Sequence, residues 1–510
     1  MAKILIINPV VREEDVPRHI PYGEALLAAL AIRKGHQVAV YDANAWRQPI
    51  EKVADACRAD DWGVIAVGGL TTTYGCIKQC CRIAKLASPK SLLLAGGGFM
   101  TSMPKEIMHF IPEIDIGIVG EAFNTFIEVL AMVDEKDFDF SKTRGVIWRD
   151  ATGPVLNAER PLILNLDQLP WPAWDLFPLE EVYFKNSSSL FSEDAYLSRR
   201  RIDINGSYGC SLICRYCWHL GTTGDMKIKA NGAGNDVVFS FNRNIRYHSP
   251  EYIVAMVSEL KKRYQIDFAN FLDENLMTMH AATGRKWLFQ ICEAWEKAGF
   301  CPPRGERRSS PLSLDGVHWS GTSHASLSSP EVLEAMYNAG CTHLVYGLES
   351  FDPHILKHLG KGTTRQKNID SVGICMNAGI IPIPNIIIGF PEETFESVRN
   401  TITALIELGI HAKPHFATPY PGSEWYYAYK DSIIDQYGGD LEAYIMDLGD
   451  ATKITAVISH NFTGVELLGL QEIVAKRDLR LLSQFERAYV PRVPNHKPKS
   501  SFNFYPGKLM

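Results

Sequence analysis

The stretch Gly206-Ser-Tyr-Gly-Cys210-Ser-Leu-Ile-Cys214-Arg-Tyr-Cys217-Trp218 contains three cysteines with the spacing Cys-x3-Cys-x2-Cys. Thiolates are natural ligands of iron, and three of them can bind three irons of a [4Fe–4S] cluster. No fourth cysteine follows at the spacing found in ferredoxins. One iron would therefore stay open to bind another molecule, which favours a reaction centre over an electron carrier.

Length and composition limit the class of protein. The chain has 510 residues, of which 46% are hydrophobic and 22% charged, so it is long enough for two or three ordinary globular domains. A formal net charge of -6 gives no indication of a nucleic-acid partner. The segment Met1–Pro9 is strand-like and unlike a signal peptide, and no apolar run is long enough to span a membrane. We therefore expect a cytoplasmic protein, in which eleven cysteines indicate metal binding or catalysis more than disulfides.

Residues 1–135 alternate between strand and helix patterns, which predicts a parallel, doubly wound, Rossmann-like sheet. Such sheets bind ligands at the carboxyl ends of their strands. Small and polar residues are concentrated at these ends, which favours a bound ligand over plain turns. The candidate binding residues at this edge are Asn8, Asp42, Ala43, Gly69, Thr71, Thr72, Thr73, Tyr74, Gly97, Gly98, Gly120 and Glu121.

The rest of the chain divides into three segments. Residues 136–199 are rich in proline and aromatic residues around 167–178 and are predicted to be a linker. Residues 200–425 return to strand–helix alternation, and six such units predict a partial (β/α)6 barrel of the α/β class, with its chemistry at the carboxyl ends of the strands. Residues 426–510 are predicted to form a small, mostly helical C-terminal region that contributes to the substrate site.

Several stretches keep two interpretations open. Gly221–Asn244 is either a lid or a surface insertion, and the basic stretch Pro302–Pro311 is more simply a solvated loop. Cys76, Cys80 and Cys81 share one predicted helix, but without further ligands they are better explained as buried or surface thiols than as a second metal site.

Residues 200–425 resemble the radical S-adenosylmethionine (SAM) enzymes, and residues 1–135 resemble the cobalamin-binding domain that precedes the barrel in one large subgroup of them. Besides the three cysteines, the resemblance rests on four stretches in the expected order: Asp273-Glu274-Asn275, Gly347-Leu-Glu349-Ser350, Asn385-Ile-Ile-Ile-Gly389-Phe-Pro-Glu-Glu393-Thr, and Thr418-Pro-Tyr-Pro-Gly422-Ser-Glu424.

The resemblance implies three cofactors: a [4Fe–4S] cluster on Cys210, Cys214 and Cys217, SAM chelated to the open iron, and cobalamin. One-electron cleavage of SAM yields a 5′-deoxyadenosyl radical in this family, while the protein positions the reactants and excludes water from the site. The family pattern assigns SAM-binding roles to Tyr216, Glu349, Ser350, Asn385 and Gly389.

Two departures from the family pattern matter. The Asp-x-His-x-x-Gly motif of cobalamin domains with a histidine under cobalt is missing; Arg12, Arg18, His19 and Tyr74 are candidates for that space, none of them assigned as a ligand. The third barrel strand ends at His324, where relatives often place a basic residue. His324 and Asp273 are substrate candidates, although a lone histidine is more often structural and Asp273 could equally cap a helix.

The resemblance implies a cobalamin-dependent radical SAM C-methyltransferase, which methylates an unactivated carbon through the 5′-deoxyadenosyl radical and methylcobalamin. The alternatives are an oxidative cyclase or ring-rearranging enzyme with the same cofactors, and a non-catalytic cobalamin or iron–sulfur carrier. No catalytic residue is assigned. The expected partners are an external low-potential electron donor, such as flavodoxin or ferredoxin, and a substrate that could be a small molecule, a lipid, a tetrapyrrole or a peptide.

Overall fold

A computed structural model describes residues 1–186, 198–212, 214–218, 226–231, 234–239, 245–301 and 316–491. It divides into two compact units. The first comprises Met1–Ser187, Trp218–Asn244 and Ile445–Leu448, and the second comprises Ser188–Cys217, Ile245–Tyr444 and Gly449–Met510. The sequence predicted four segments that are each continuous in the chain. The first unit instead also includes two short segments from later in the chain, 218–244 and 445–448.

The first unit is built on a seven-stranded sheet. Its strands are β1 (Lys3–Asn8), β2 (Gln37–Asp42), β3 (Val64–Gly69), β4 (Leu92–Gly97), β5 (Ile116–Ile118), β6 (Val146–Asp150) and β7 (Gly153–Leu156). They lie in the order β2-β1-β3-β4-β5-β6-β7, and β1 to β5 pair in parallel. Apolar runs such as Ile-Leu-Ile-Ile in β1 suit strands that are buried on both faces.

Helices cover both faces of this sheet. They are Tyr22–Arg33, Ala43–Trp46, Lys52–Arg58, Tyr74–Ala87, Gly98–Ser102, Pro104–Phe110 and Phe123–Glu135. The core under helices 22–33 and 123–135 contains fully buried side chains such as Ile4, Leu94 and Phe126. The predicted doubly wound α/β fold is confirmed.

Part of the predicted linker belongs to this sheet. Within residues 136–199, β6 and β7 form a hairpin, and β6 pairs antiparallel with β5 with Trp148 opposite Ile116. The turn between them ends at Gly153, whose φ of +127° suits a residue without a Cβ. The prediction that this whole range is a linker is therefore wrong for residues 146–156. Its basis was the content of proline and aromatic residues, which does not identify two short strands.

The remaining strands are β8 (Arg201–Ile204), β9 (Ser207–Tyr208), β10 (Met226–Asn231), β11 (Gly234–Phe239), β12 (Arg246–Tyr247), β13 (Phe268–Phe271), β14 (His318–Ser323), β15 (Cys341–Glu349), β16 (Ile381–Ile388) and β17 (His415–Phe416). Six of them form one parallel sheet in the order β17-β16-β15-β14-β13-β8. This is the predicted six-stranded partial barrel of the second unit. Strands β10 and β11 form an antiparallel pair counted with the first unit, so the insertion 221–244 carries regular structure.

Helices of the second unit alternate with the barrel strands and continue beyond them. They are Pro250–Tyr264, Leu276–Ala282, Trp287–Lys297, Pro330–Asn338, Pro353–His358, Arg365–Asn377, Phe395–Leu408, Glu424–Gln436, Gly464–Lys476 and Leu479–Ala488. A further helix, Leu441–Asp447, begins in the second unit, and its last residues are counted with the first unit. Buried Trp287, Trp295 and Trp319 fill the core, and each indole N–H donates to a backbone carbonyl. The predicted mostly helical C-terminal region is confirmed over the described residues. The stretch Pro302–Pro311 lies outside them.

None of the helices in the described ranges combines the length and the apolar character that a membrane crossing requires.

Two glycines allow β3 and β4 to end side by side. Gly97 has a φ of +101°, and a Cβ on it would lie 2.5 Å from the carbonyl oxygen of Gly69. No side chain fits there without moving the backbone. The edge of the first sheet is therefore open at this point because both strands end without side chains.

A buried carboxyl shapes the end of β16. The chain turns at Gly389, with a φ of +89°, and the Gly389 N–H donates to Oε2 of Glu393 at 2.7 Å. Oε1 of Glu393 accepts from the hydroxyl of Ser397 at 3.0 Å. Burial raises the pKa of Glu393 to about 7.

Replacing Gly97 by alanine should destabilise the first unit through both backbone strain and the clash with Gly69. We expect a loss of about 2–6 kcal/mol, since an unfavourable φ and an overpacked site each cost about 1–3 kcal/mol. Gly153→Ala is the matched control, because Gly153 also has a positive φ but nothing lies within 4 Å of its added Cβ. Urea unfolding followed by circular dichroism measures both, and equal losses would contradict the close approach.

The stability of the second unit should fall as pH rises through 7, because of Glu393. Its pKa is raised in the folded state, so the stabilisation is complete below the pKa of the unfolded chain and is lost as pH rises through the folded value. The change is about 3 kcal/mol, since the pKa rises from 4.5 to about 7. Glu393→Gln should flatten the dependence of the urea midpoint between pH 5 and pH 8, while Glu396→Gln, at an exposed position in the first turn of the helix that follows Glu393, should keep the wild-type slope. A wild-type slope in Glu393→Gln would show that the buried carboxyl does not titrate there.

Candidate functional site

Two consecutive carboxyls hold the start of the cysteine loop. The loop follows β8, and Asp273 and Glu274 follow the neighbouring β13. Asp273 accepts from the Gly206 N–H at 2.9 Å and from the Ser207 hydroxyl, and Glu274 accepts from the Gly209 N–H at 3.0 Å. Burial raises the pKa of Asp273 to about 6 and that of Glu274 to about 7. The structure therefore places Asp273, a predicted substrate residue, beneath the backbone of the loop.

The three thiols of the loop lie within electrostatic reach of one another. Burial raises the pKa of Cys214 to about 11, and the charge of Cys210 adds to this rise. The pKa of Cys217 rises as well, first through burial and then through the charges of Cys214 and Cys210. Within the described ranges, no three His, Cys, Asp or Glu side chains are gathered closely enough to hold a single metal ion. A cubane needs a wider triangle, because each thiolate binds a different iron. Three thiols on one loop are the ligand type that such iron prefers, so the chemistry of these residues fits a cluster.

The second half of the loop is fastened to two other parts of the same unit. The Arg215 N–H donates to the carbonyl oxygen of Leu359 at 3.1 Å, and Nε of Arg215 pairs with Glu424 at 3.0 Å. The ring of Tyr216 lies 5.7 Å from that of Trp425. Glu424 and Trp425 begin the helix that follows the motif Thr418–Glu424, so two of the predicted stretches meet at the cysteine loop.

Tyr216 and Glu349, both predicted to bind SAM, lie together in a buried group. The Tyr216 hydroxyl donates to Oε1 of Glu349 at 2.7 Å, and Glu349 is 5% exposed. Lys361 completes the group, with its Nζ 2.6 Å from the same carboxylate oxygen and 2.9 Å from the Tyr216 hydroxyl. Glu349 has a φ of +60°, which is uncommon for a residue with a side chain and turns β15 at its carboxyl end.

The other three predicted SAM residues have different surroundings. Ser350 is buried, and its hydroxyl accepts from the Asp352 N–H at 3.1 Å, so it is occupied inside the turn. Asn385 is half-buried on β16, opposite Gly347 of β15. Gly389 ends β16 beside Glu393. Asn385 thus lies on the strand next to the one that ends at Glu349, and Gly389 directly follows β16.

His324 is buried and hydrogen-bonded on both ring nitrogens. Nδ1 faces the Ser326 N–H and hydroxyl at 3.2 and 2.9 Å, and Nε2 lies 3.1 Å from the carbonyl oxygen of Lys361. Burial lowers the pKa of His324 to about 3, so the ring is neutral at physiological pH. Both ring nitrogens of this predicted substrate residue are thus engaged by Ser326 and by the backbone of Lys361.

At the edge of the first sheet, Asp42 is the centre of a buried polar group. It accepts from the Asn8 side-chain amide at 2.7 Å, the Ala45 N–H at 2.9 Å and the Tyr183 hydroxyl at 2.6 Å. Burial raises the pKa of Asp42 despite these bonds. Asn8, Asp42 and Ala43 are all buried, so these three predicted cobalamin residues pack inside the protein beneath the edge of the sheet.

The other predicted cobalamin residues surround the ends of β3, β4 and β5. Thr73 donates its hydroxyl proton to the Leu70 carbonyl at 2.8 Å, Thr71 and Tyr74 are buried, and Thr72 is half-buried. Gly97 is exposed, and Gly69 and Gly120 are partly exposed with positive φ. Glu121 accepts from the Ile163 N–H at 2.8 Å. In the same unit the indole of Trp218 approaches Gly98 and donates to the Ser102 hydroxyl at 2.6 Å.

The structure also places the remaining candidates of the first unit. Arg18 forms an ion pair with Asp15 at 2.6 Å. Cys76 accepts from the Val10 N–H at 3.3 Å, and its bond with the Cys80 thiol lowers the pKa of Cys76. Cys80 and Cys81 are buried, as expected for core thiols.

Sequence reasoning missed Lys361, Tyr183 and the individual role of Glu274. Lys361 stands between two glycines in Gly360-Lys361-Gly362, and a lysine in so short a loop, soon after the predicted SAM residue Glu349, is a signal that the sequence offers. Tyr183 lies in the predicted linker, far in sequence from Asp42, and no local pattern connects them.

Two family models match the chain. The Radical SAM superfamily matches residues 204–405, which include the cysteine loop and β13 to β16, and the B12 binding domain matches residues 10–130. These matches confirm the predicted cofactors: a [4Fe–4S] cluster, SAM and cobalamin.

Three known proteins illustrate the similarity. The uncharacterized methyltransferase PH0819 of Pyrococcus horikoshii is 27% identical over 442 residues, covering 85% of this chain and 84% of the relative. An anaerobic magnesium-protoporphyrin IX monomethyl ester cyclase of Synechocystis is 20% identical over 82% of this chain and 77% of the relative. The radical SAM methyltransferase TsrM of Kitasatospora setae, solved with cobalamin and a [4Fe–4S] cluster, has a TM-score of 0.63 at 16% identity and covers 85% of this chain and 76% of that one. The fold is thus shared with TsrM, and the chain carries a B12 binding domain over residues 10–130 followed by a Radical SAM superfamily domain over residues 204–405, the combination that defines cobalamin-dependent radical SAM enzymes.

Proposed function

We propose that this enzyme is a C-methyltransferase that transfers a methyl group to an unactivated carbon. The observation that carries the proposal is the presence, on one chain, of a B12-binding domain and of a radical SAM domain whose cysteine loop brings three thiols together. The relative named a methyltransferase, which spans most of this chain, supports it.

The residues of the second unit would bind and orient. Cys210, Cys214 and Cys217 would hold the cluster, and Glu349, with Tyr216 beside it, would bind the cationic or diol part of SAM, since a carboxylate accepts several hydrogen bonds. Asn385 and Gly389 would offer contacts along β16. With these groups bound, SAM and the cluster supply a carbon radical and cobalamin supplies the methyl group. The burial of Glu349 and Lys361, with Tyr216 half-buried beside them, supports exclusion of water from this part of the barrel.

At the edge of the first unit, the predicted cobalamin residues divide into two groups. Gly69, Gly97 and Gly120 would let a large planar ligand approach the backbone. The buried residues Asn8 and Asp42, held by Tyr183, would keep that edge rigid without contacting the ligand.

A second candidate is an oxidative cyclase with the same cofactors. The similarity to anaerobic magnesium-protoporphyrin IX monomethyl ester cyclases, over four fifths of this chain in one case, favours it. In both candidates a small low-potential carrier such as flavodoxin or ferredoxin would supply the electron, and a cytoplasmic location stays a prediction.

Cys214→Ala should reduce the formation of 5′-deoxyadenosine to background while cobalamin binding stays as in the wild type. The substitution removes one thiolate of the cluster, whereas the cobalamin edge belongs to the other unit. Anaerobic reconstitution, iron and sulfide analysis, and the visible spectrum of bound hydroxocobalamin measure the two effects. Cys292→Ala, a buried cysteine outside the motif, is the control and should keep both properties. Wild-type SAM cleavage in Cys214→Ala would exclude the cysteine assignment.

Turnover with SAM deuterated in its methyl group should distinguish the two functions. A C-methyltransferase gives a product that carries the labelled methyl, together with one S-adenosylhomocysteine and one 5′-deoxyadenosine for each methyl transferred. Anaerobic incubation of the holoenzyme with metabolite extracts, followed by mass spectrometry, detects it. A product without label identifies a cyclase, and normal cluster assembly with no SAM cleavage would leave only a carrier.

A further inference from the structure

Lys361 is a buried cation that the known chemistry of the enzyme does not account for. It is 5% exposed, and it lies in the short loop after helix 353–358. Its carbonyl oxygen is 3.1 Å from Nε2 of the buried His324, so its backbone is held as well as its side chain. Burying an ammonium is costly unless it is paired, and the pairing here is specific.

The ammonium closes a triangle with Glu349 and Tyr216. Nζ lies 2.6 Å from Oε1 of Glu349 and 2.9 Å from the Tyr216 hydroxyl, which itself donates to the same Oε1. Nζ also lies 5.6 Å from the centre of the Tyr216 ring. Because Tyr216 stands between Cys214 and Cys217 in the chain, this triangle connects the end of β15 to the cysteine loop.

The loop of Lys361 is also bonded to the cysteine loop through the backbone. The carbonyl oxygen of Leu359, two residues before Lys361, accepts from the Arg215 N–H at 3.1 Å. Lys361 and Glu349 are both buried and carry opposite charges, and both contact the hydroxyl of Tyr216, the residue next to Cys217. Both charges therefore lie beside the cysteine loop.

We propose that Lys361 is a positioning residue whose buried ammonium stabilises the reduced state of the cluster and so raises its reduction potential, while Glu349 lowers it. Reduction adds a negative charge to the cluster, and a fixed cation within a low-dielectric interior favours the state with more negative charge. The proposal rests on the proposed ligation by Cys210, Cys214 and Cys217.

The same contacts have a simpler explanation, in which Lys361 only braces Glu349 and the loop. The two explanations predict different signs. A purely structural brace gives the same effect, or none, when either partner is neutralised. Electrostatic control gives shifts of opposite sign, because Lys361 and Glu349 carry opposite charges and lie beside the same tyrosine of the cysteine loop.

The test is an electron paramagnetic resonance redox titration of the anaerobically reconstituted full chain, without SAM or substrate. Lys361→Met should make one-electron reduction at least about tenfold less favourable, a negative shift of about 59 mV or more for a one-electron couple. Glu349→Gln should shift the potential in the positive direction, and Lys361→Arg, which keeps the charge, should stay close to the wild type. Lys357→Met removes an exposed lysine four residues away and should leave the potential unchanged.

Unchanged potentials in Lys361→Met and Glu349→Gln, or shifts of the same sign, with full iron and sulfide content, would overturn the proposal. If Lys361→Met assembles no cluster, Glu349→Gln decides alone: a positive shift supports the proposal and an unchanged potential overturns it. Because the titration involves neither SAM cleavage nor methyl transfer, its failure is distinct from failure of the proposed function. A wild-type protein that holds no cluster would instead contradict the cysteine assignment.

Discussion

Both units depend on one constraint of parallel sheets: the carboxyl ends of all strands meet at the same edge. In the second unit this brings the loop after β8, the carboxyls after β13 and the turn after β15 together, although they span well over a hundred residues of sequence. In the first unit it gathers the glycines that end β3 and β4 beside Asn8 and Asp42. Residue chemistry then decides what each edge can bind.

Buried charge is the second recurring feature, and it is compensated locally each time. Asp42, Glu349 and Glu393 are all shielded from solvent, and each accepts at least two hydrogen bonds. Carboxylates bound in this way stabilise a unique backbone path, since the loss of one partner would leave an unpaired charge in a medium of low polarity. The turns around the two sites are thereby held by side chains that need not touch any ligand.

The elements with strong local patterns could be predicted from the sequence. The apolar runs of β1, β3 and β4 and the six strand–helix units depend on neighbouring residues, and these predictions are confirmed in the fold. The cysteine spacing is an equally local pattern, and the ligand role of its three cysteines stays a prediction. What the sequence did not reveal are long-range pairings, such as Tyr183 with Asp42 and Lys361 with Tyr216, which have no local periodicity. The hairpin β6–β7 was missed because its strands are short and lie on an edge that composition does not identify. Whether Asp273 and His324 face outward or inward likewise depends on tertiary packing.

The paired carboxyls of Asp273 and Glu274 have a consequence for how the metal site is made and maintained. They bind backbone N–H groups of Gly206 and Gly209, so the approach to Cys210 is ordered by the fold and not by iron. The conformational entropy of that segment is therefore lost during folding, and less remains to be lost when a cluster is inserted. The start of the loop is thus anchored by the protein's own hydrogen bonds, so part of the order that a metal site needs is supplied by folding itself.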